Sequence, residues 1–488
     1  MMLRSTIIVV VVAMTGCLIR SPDRAPPPRA PAAFFAATDE AAPPAASATA
    51  EPLTSGTVWW SAFADPALDA AIQEGFRNNH IVRDVRGLIY ENMVDPVVPQ
   101  GTWWWPLQIG IAPAGVRHVV TNIAPTGIPS ISYGVANLNL SASYQIDVWG
   151  GIDAQRQAGL NFAEQQRQLT EARVQDLAVQ ISQVWFDILE TRALRDLTLT
   201  QVAYNQELYE LVKARFEQHL TSRLVVLQQE QQLLNLQSQL PLITTQLALL
   251  NSQLKGLLGR SPTAVDDVVP RERQLPDLPP APGIGTPEDL EANTPELRLA
   301  RLRVDEVHHR MRANRASWLP TVQVVGSIGA SVFHDFRPVD DAATGAEPRR
   351  FRESTIGVSL TWTMFDGRRV AETRQLPMTL HRREIQHELA MQTAVGRVQT
   401  AVIREDNQAT SLRFLSAQVE LGQRLLAEAR RLFEQGQSDY LSVLTALANL
   451  TELERARLQA QRLLLNHRVE LYRSLGGNWS YDVTKRLE

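Results

Sequence analysis

The sequence predicts a membrane protein of mixed α and β structure in which one structural unit occurs twice. Four segments have the two-residue period of β-strands, two stretches of more than sixty residues have the helical period, and the chain repeats itself. Residues 216–227 match residues 433–444, which lie 217 positions later. The matched residues of the first copy are Phe216, Glu217, Gln218, Leu224, Val226 and Leu227. Gly150 falls on Gly367 with the same offset, which indicates a duplicated unit.

Composition excludes several classes of protein. The 488 residues carry 48 basic and 52 acidic side chains, so we expect no large basic surface and no nucleic-acid partner. Cys17 is the only cysteine, which excludes an intrachain disulfide and a cysteine-based metal site. The adjacent His308 and His309 would point to different faces of a helix, and His381 and His387 are six positions apart. Neither spacing places two imidazoles on one metal ion, so we expect no metal site.

The sequence also lacks the patterns that accompany catalysis. No glycine-rich phosphate loop, nucleophile elbow or pair of carboxylates stands out. We therefore expect that the protein is not an enzyme and binds no cofactor. Asp266 and Asp267 lie in a proline-rich loop and are most simply solvated charges.

The N-terminal residues predict export. Residues 1–16 have a positive start, a short apolar core and small residues before Cys17, which is the pattern of a signal peptide too short to span a bilayer. The alternative is a buried core cysteine. The ending before Cys17 resembles a bacterial lipobox, which implies that Cys17 is lipidated and becomes the mature N-terminus. Leu18 resembles the following residue of lipoproteins sent to the outer membrane. Residues 17–56 therefore comprise the lipidated cysteine and a Pro/Ala-rich tether.

The first repeat is predicted over residues 57–284. A short helix starts at Asp65, which caps it ahead of Pro66, and extends to about Met93. Strands follow at about 103–112 and 132–149. In the second strand the apolar residues alternate strictly with polar ones, and they are Leu138, Leu140, Ala142, Tyr144, Ile146 and Val148. Trp103–Trp105 either anchor the chain at a membrane interface or contact the preceding helix.

A long helical hairpin, 152–258 with its tip at 216–227, completes this repeat. Sixty-odd residues at about 1.5 Å each give roughly 100 Å of helix. On the return, leucine and isoleucine recur with the heptad spacing of a coiled coil, and we call these residues the heptad seam: Leu240, Ile243, Leu247, Leu250, Leu254 and Leu257. Pro241 is expected to kink this helix or to shift its winding.

The second repeat, 285–478, follows the same order. A short helix is predicted over 287–318, and Asn293-Thr-Pro295 within it is an alternative helix start. Strands are expected at about 320–333 and 354–365, then a hairpin over 370–476 with its tip at 433–444. Pro377 marks the expected strand-to-helix transition, and residues 479–488 form a C-terminal tail.

The strands constrain the assembly. Strands of about ten residues with alternating apolar and polar side chains are typical of transmembrane barrels, although one such strand alone would favour a soluble sheet. Four strands cannot close a barrel, and open sheet edges are not tolerated in lipid. The sequence therefore predicts several chains per barrel, and three chains would supply twelve strands. Asp147 and Asp366 close two of the strands, where they either cap the following turn or line the pore.

Several segments resemble the TolC-type outer membrane efflux proteins, in particular their lipid-anchored OprM/NodT-like members. The matching segments are Trp59–Leu68, Tyr144–Gly150, Ala316–Thr321, Trp362–Gly367 and Leu471–Trp479, together with both hairpin tips. The resemblance implies a homotrimer with a twelve-stranded β-barrel, four strands per chain, in the outer membrane lipid. A long α-helical barrel of coiled-coil hairpins would continue it into the periplasm.

The resemblance also implies a function. Such a channel would passively conduct small molecules from a periplasmic adaptor and an inner-membrane pump of the resistance-nodulation-division type. The tips would contact the adaptor and form the gate, through Phe216, His219, Arg223, Leu224, Phe433, Gly436, Asp439, Tyr440 and Leu441. The barrel-to-helix junction would consist of Asp147, Gly150, Asp366 and Gly367.

The gate residues of the family do not match this chain. Where relatives often carry an arginine and aspartates, this sequence has Ser438, Ser442 and Thr445. Two alternatives remain for the gate. It is either ionic, formed by Arg223, Asp439 and the glutamates Glu217 and Glu434, or an apolar constriction formed by Leu224 and Leu441. The alternative function is a lipid-anchored periplasmic adaptor or structural coiled coil, although adaptors carry one helical hairpin and not two.

Overall fold

The computed structural model describes Phe34 and residues 58–94, 107–120, 131–261, 267–336 and 349–476. The predicted signal peptide, Cys17, Trp103–Trp105, Asp266 and the tail 479–488 lie outside the described residues. The same holds for the tether 17–56 except for Phe34.

Helices account for most of the described chain. After a short 3-10 helix at Trp59–Phe63, the α-helices are α1 (Pro66–Asn78), α2 (His80–Val94), α3 (Gly151–Glu217), α4 (Arg223–Leu257), α5 (Pro287–Asn293), α6 (Pro295–Ser317), α7 (Gly367–Glu434) and α8 (Tyr440–Ser474). The strands are β1 (Leu107–Val120), β2 (Ile131–Ile146), β3 (Thr321–Phe336) and β4 (Arg349–Thr361). The order matches the predicted repeat, two strands followed by a helical hairpin, in both halves.

The chain divides into two compact units. The first contains the segments Met93–Ala163 and Leu302–Glu384. Its centre is one antiparallel sheet with the strand order β1-β2-β3-β4, so strands from both repeats pair side by side. The strand boundaries differ from the expected ones mainly in β1 and β4. Strand β1 ends at Val120 and β4 begins at Arg349, so both strands extend further from the helices than the alternation alone indicates.

The register gives this sheet two different faces. Directly opposite residues of an antiparallel pair point to the same side, and Leu140 lies opposite both Ile111 and Ile328. We call this side the apolar face; its exposed members include Ile109, Ile111, Leu138, Leu140, Val324, Ile328, Ile356, Val358 and Leu360. The polar face includes Gln108, Asn137, Asn139, Ser141, Ser143, Gln145, Gln323, Ser327 and Ser359. The predicted alternation of β2 is therefore confirmed within the strand.

The second unit contains the segments Pro27–Asn92, Glu164–Arg301 and Ile385–Glu488, of which the described residues form a helical core. Trp60, Phe76, Trp185 and Phe186 are almost fully buried in its largest cluster. Asp65 connects local structure to this core, because its carboxylate accepts hydrogen bonds from the backbone N–H groups that begin α1 and from the indole of Trp185 at 3.1 Å. The predicted helix cap at Asp65 is confirmed.

The prediction of one helix from Pro66 to about Met93 is wrong. The chain breaks at Asn79, whose Oδ1 accepts hydrogen bonds from the N–H groups of Ile81 and Val82 and thereby caps α2. The corresponding break at Thr294 separates α5 from α6, which is the alternative start that the sequence offered. The C-terminal end of one helical hairpin contacts each of these breaks.

Two glycines make those contacts possible. Gly259 and Gly476 end the two hairpins with φ values of +72° and +82°. A Cβ added to Gly259 would lie 2.3 Å from the carbonyl oxygen of Asn78, and one added to Gly476 would lie 2.8 Å from that of Asn293. The same close approach of a glycine to the backbone therefore occurs in both repeats, as the predicted duplication implies.

The long helices follow the predicted pattern with two differences. Every residue of the heptad seam is buried or half-buried. Helix α4 runs without a break through Pro241, although a proline removes one backbone hydrogen bond. Helix α7 begins at Gly367, so Pro377 lies inside the helix and does not mark the transition from the strand. No helix in the described ranges combines the length and the apolar run that crossing a lipid bilayer requires.

Phe34 is the one described residue of the predicted tether. Its side chain is buried in a cluster that includes Leu290, Val398 and Leu471, and Gln399 donates a hydrogen bond to its carbonyl oxygen. The tether therefore touches the folded chain at this residue, which its proline- and alanine-rich composition did not predict.

Candidate functional site

The two tips have the same backbone geometry. Each of the outgoing helices α3 and α7 ends with a residue in the left-handed conformation, His219 at φ +57° and Gly436 at φ +73°. In the first turn the N–H of Leu220 donates to the carbonyl of Arg215, and that of His219 to Phe216. The second turn has the same pair of bonds. This is the Schellman motif, which satisfies the carbonyl groups at a helix end.

His219 is the strained position of the pair. A side chain in the left-handed conformation costs roughly 1–2 kcal/mol, which glycine avoids. Replacing His219 by glycine is therefore expected to raise the free energy of unfolding by about 0.5–1 kcal/mol, less than the full strain because glycine also loses more backbone entropy on folding. The measurement is the melting temperature of the full-length protein in detergent.

The second tip supplies the control for this prediction. Gly436→Ala places a Cβ on a residue with positive φ and should lower the melting temperature, although nothing lies within 4 Å of that Cβ. If His219→Gly also lowered the melting temperature, the histidine side chain would contribute a contact that outweighs its strain.

The return helices begin differently. Asp439 caps α8, because its Oδ1 accepts from the backbone N–H of Ser442 at 3.2 Å and from its hydroxyl at 2.8 Å. Ser222 precedes α4 and makes no such side-chain bond. Asp439 thus has a local structural role, and the two tips differ in how their return helices are capped.

An aromatic pair in the second hairpin contacts an arginine of the first hairpin just behind the tips. The rings of Phe433 and Tyr440 meet edge to face with their centroids 5.5 Å apart. The guanidinium of Arg215 lies 4.5 Å from the centroid of the Phe433 ring and donates to the Phe433 carbonyl at 3.1 Å. Phe433 and Tyr440 are both buried. Both side chains thus pack within the chain, and their role at the gate or in adaptor contact stays a prediction.

A buried polar network lies beside this contact. The hydroxyl of Tyr440 donates to Oε1 of Gln229, whose Nε2 donates to the backbone carbonyl of Asn205 at 2.8 Å and to its Oδ1 at 3.1 Å. Burial raises the pKa of the Tyr440 hydroxyl, so it remains a hydrogen-bond donor. The network ties α8, α4 and α3 together with every polar atom of the Gln229 amide group bonded.

Gln229 was not among the residues predicted from the sequence, although a signal for it was present. The heptad seam, extended toward the start of α4, passes through Leu236, Leu233 and then Gln229. A single polar residue at a core position of a coiled coil fixes the register of the helices. Leu220 was missed too, and it is 63% exposed in the first turn.

The remaining tip residues are on the surface of the chain. Leu224 and Leu441 are 63% and 58% exposed, and Phe216 is also partly exposed. Arg223, Asp439 and Glu217 are exposed as well. The ion pairs at the second tip join Arg430 to Glu434 and Arg431 to Glu428 within α7. Within the described ranges no ion pair involves Arg223 or Asp439, so this chain alone forms no ionic latch between the two turns.

The junction between strands and helices holds the other predicted site residues. The two carboxylate oxygens of Asp147 accept hydrogen bonds from the N–H groups of Ile152 and Asp153, at 3.1 and 2.8 Å. Asp366 accepts from the N–H of Arg368 at 2.9 Å. Both aspartates thus occupy helix N-termini, where a negative charge is stabilised, and the hydrogen bonds favour the capping alternative.

The two junction glycines are not equivalent. Gly150 has a φ of +69°, and Gly367 does not lie in the left-handed region. A cavity of about 390 Å³ adjoins the first junction, and its lining includes Asp147, Gln155 and Arg369. Among the described residues, no group of three or more His, Cys, Asp and Glu side chains could hold a metal ion.

Comparison with known proteins identifies the family. Residues 118–260 and 286–477 match the family model described as outer membrane efflux protein. The pyoverdine export outer membrane protein OpmQ of Pseudomonas putida is 23% identical over 436 residues, 88% of this chain and 89% of that protein. The solvent efflux pump outer membrane protein SrpC of Pseudomonas putida is 26% identical over 431 residues, 86% of this chain and 87% of that protein.

Solved structures show the same fold. The outer-membrane channel OprN superposes with a TM-score of 0.77 at 20% identity, covering 94% of this chain and 99% of that chain. The CmeC outer membrane channel of Campylobacter jejuni has a TM-score of 0.74 at 16% identity, covering 95% and 96%. These matches do not favour the alternative of a periplasmic adaptor. The family match spans more than half of the chain, so this chain belongs to the outer membrane efflux protein family and is an efflux channel of the outer membrane.

Proposed function

We propose that three copies of this chain form the exit duct of a tripartite efflux system. The observation that carries the proposal is the four-stranded sheet, whose apolar face is exposed and whose edge strands β1 and β4 have no further partner among the described strands. Lipid tolerates neither an open sheet edge nor an unsatisfied backbone group. Pairing β4 of one chain with β1 of the next closes a twelve-stranded barrel and removes both edges.

The faces of the sheet then have defined surroundings. The apolar face contacts lipid, and the polar face with its asparagine, serine and glutamine side chains lines a water-filled pore. The helical hairpins of the three chains form a tunnel that reaches into the periplasm. The chain conducts passively, and substrate selection belongs to the pump.

The partners follow from the same proposal. A periplasmic adaptor contacts the tips, and it connects the channel to an inner-membrane pump of the resistance-nodulation-division type. The gate opens when the helices carrying 216–227 and 433–444 move apart on adaptor contact, as one population replaces another. Lipidation of Cys17 anchors the N-terminus to the outer membrane, since lipid chains on one cysteine hold a protein at the surface without carrying it across.

A membrane experiment tests this assembly. We expect the full-length protein to fractionate with the outer membrane, to be extracted as a trimer only by detergent and to form pores in planar bilayers. A Cys17→Ser variant should lose the lipid but keep the pore, since the strands and not the anchor span the bilayer. Recovery of the wild-type protein as a soluble species without detergent would contradict the proposal and favour the adaptor or coiled-coil alternative.

A further inference from the structure

Two arginines interrupt the apolar face of the sheet at its end far from the helices. The register places Arg350 opposite Val332 and Arg352 opposite Ala330, so both arginines point to the same side as Leu360 and Val358. Both are exposed. On the described part of this face no acidic residue accompanies them, and no ion pair joins either arginine to another described residue. They are the two cations of β4 on this face, and Ser354 separates them from the apolar run Ile356, Val358 and Leu360.

The opposite end of the sheet, next to the helices, carries two tryptophans. Trp149 follows β2 and donates to the carbonyl of Pro320 at 2.7 Å, and Trp362 follows β4 and donates to that of Trp318 at 3.0 Å. Both rings are partly exposed, 41% and 44%. Partly exposed tryptophans at the end of an apolar strand face are typical of the water interface of a membrane.

The spacing between the two ends fits one bilayer. Leu360 and Arg350 are ten residues apart on β4. At about 3.3 Å per residue and a strand tilt near 40°, this distance spans about 25 Å along the membrane normal. The outward apolar band of such barrels is about 25 Å tall. When Trp149 and Trp362 lie at the periplasmic interface, Arg350 and Arg352 therefore lie at the headgroup level of the outer leaflet.

We propose that Arg350 and Arg352 form a binding site for the phosphate groups of a phosphorylated glycolipid in the outer leaflet. The inference rests on the proposed barrel, since only a closed barrel places this face in lipid. The two side chains emerge from one strand about 7 Å apart, which lets both guanidinium groups contact one headgroup. Arginine presents paired N–H donors that match phosphate oxygens, and such bonds are charge-assisted.

The same strand provides a matched control. Arg349 neighbours Arg350 and lies opposite Phe333, so its side chain points to the polar face and not to lipid. Arg349→Gln removes one positive charge from the same strand end without touching the proposed site. We also compare the single variant Arg350→Gln with Arg349→Gln, so that equal charge changes on opposite faces are measured side by side.

The test measures lipid binding by the full-length trimer in detergent. The probes are bis-phosphorylated lipid A, its dephosphorylated form and inorganic phosphate, each titrated while the melting temperature is followed. We expect bis-phosphorylated lipid A to raise the melting temperature. Arg350→Gln/Arg352→Gln should raise the apparent Kd for this lipid about tenfold or more, because charge-assisted hydrogen bonds are lost. Arg349→Gln should bind as the wild type does.

Three outcomes would overturn the site. Equal weakening by Arg349→Gln and Arg350→Gln would indicate general charge attraction. An equal response to the dephosphorylated lipid would indicate acyl-chain contacts, and an equal response to inorganic phosphate would indicate a free-phosphate site. Conductance in planar bilayers separates this inference from the proposed function. Pores with unchanged lipid binding in the double variant reject only the site, whereas a wild-type protein that forms no pores rejects the barrel.

Discussion

Replacing Arg468 by methionine is expected to destabilise the protein by about 3–5 kcal/mol, because it leaves a carboxylate buried without its partner. Arg468 is 2% exposed, and its guanidinium forms a two-bond ion pair with Glu405 at 2.5 and 2.9 Å. It also donates to the carbonyl groups of Pro279 and Pro280. The Arg468 side chain therefore neutralises the charge of Glu405 and also binds the proline-rich connection between the two repeats through two of its carbonyl groups.

The other end of that connection is held in a similar way. Arg192 donates to the carbonyls of Val269 and Pro270 at 3.0 and 2.8 Å. Prolines supply no N–H groups of their own, so a proline-rich segment forms backbone hydrogen bonds mainly through its carbonyl oxygens. Arginine suits this task because it carries five donors and remains charged when it is buried.

The chain offers a matched control for Arg468→Met. Arg462 on the same helix pairs with Asp187 at 2.8 Å, but both side chains are about 30% exposed. Solvent screens that pair, so Arg462→Met should cost about 1 kcal/mol or less. The readouts are the melting temperature and the half-life of the detergent-extracted protein, because large membrane assemblies unfold irreversibly. Equal losses in the two variants would contradict the assignment.

A second substitution separates charge from packing. In Arg468→Met/Glu405→Leu both members of the buried pair are apolar, and such replacements are often close to neutral. We expect this double variant to regain much of the stability that Arg468→Met loses. Failure to regain it would mean that the bonds to Pro279 and Pro280 account for most of the effect.

Periodicity explains why so much of the fold could be predicted. A strand in contact with lipid on one side and water on the other must alternate its side chains, and Leu138 and Asn139 show that alternation directly. A long helix buried along one stripe must place leucines at heptad spacing, as it does at Leu250 and Leu254. Both patterns are local, so the sequence displays them without any knowledge of distant contacts.

The candidate site was harder to predict because its contacts are not local. Tyr440 and Gln229 are 211 positions apart, and nothing near either residue indicates their hydrogen bond. Phe433 and Leu441 have similar hydrophobic character and lie on the same tip, yet one is buried and the other exposed. Which side of a helix faces a neighbouring hairpin depends on how four long helices pack together, and the tip sequence does not contain that information.

The exposed leucines at the tips predict the chemistry of the gate. Leu224 and Leu441 hold matching places in the two repeats and point away from the core of their own chain. Three chains of the proposed trimer would contribute six such leucines to the gate, whereas the charged residues Arg223 and Asp439 form no ion pair within the described chain. Six apolar side chains at a narrow opening expel water and thereby resist the passage of ions. This arrangement favours an apolar constriction over an ionic latch.

Leu224→Ser/Leu441→Ser should therefore raise the single-channel conductance in planar bilayers several-fold, because hydroxyl groups allow water to fill the constriction. The control is Leu242→Ser, which makes the same change at a leucine of α4 that is 70% exposed and lies away from both turns. It should leave conductance unchanged. If Leu224→Ser/Leu441→Ser also left conductance unchanged while Arg223→Ser or Asp439→Ser raised it, the gate would be held by charges between neighbouring chains. Exposed leucines would then serve adaptor contact alone, and the two functions of the tip would belong to different residues.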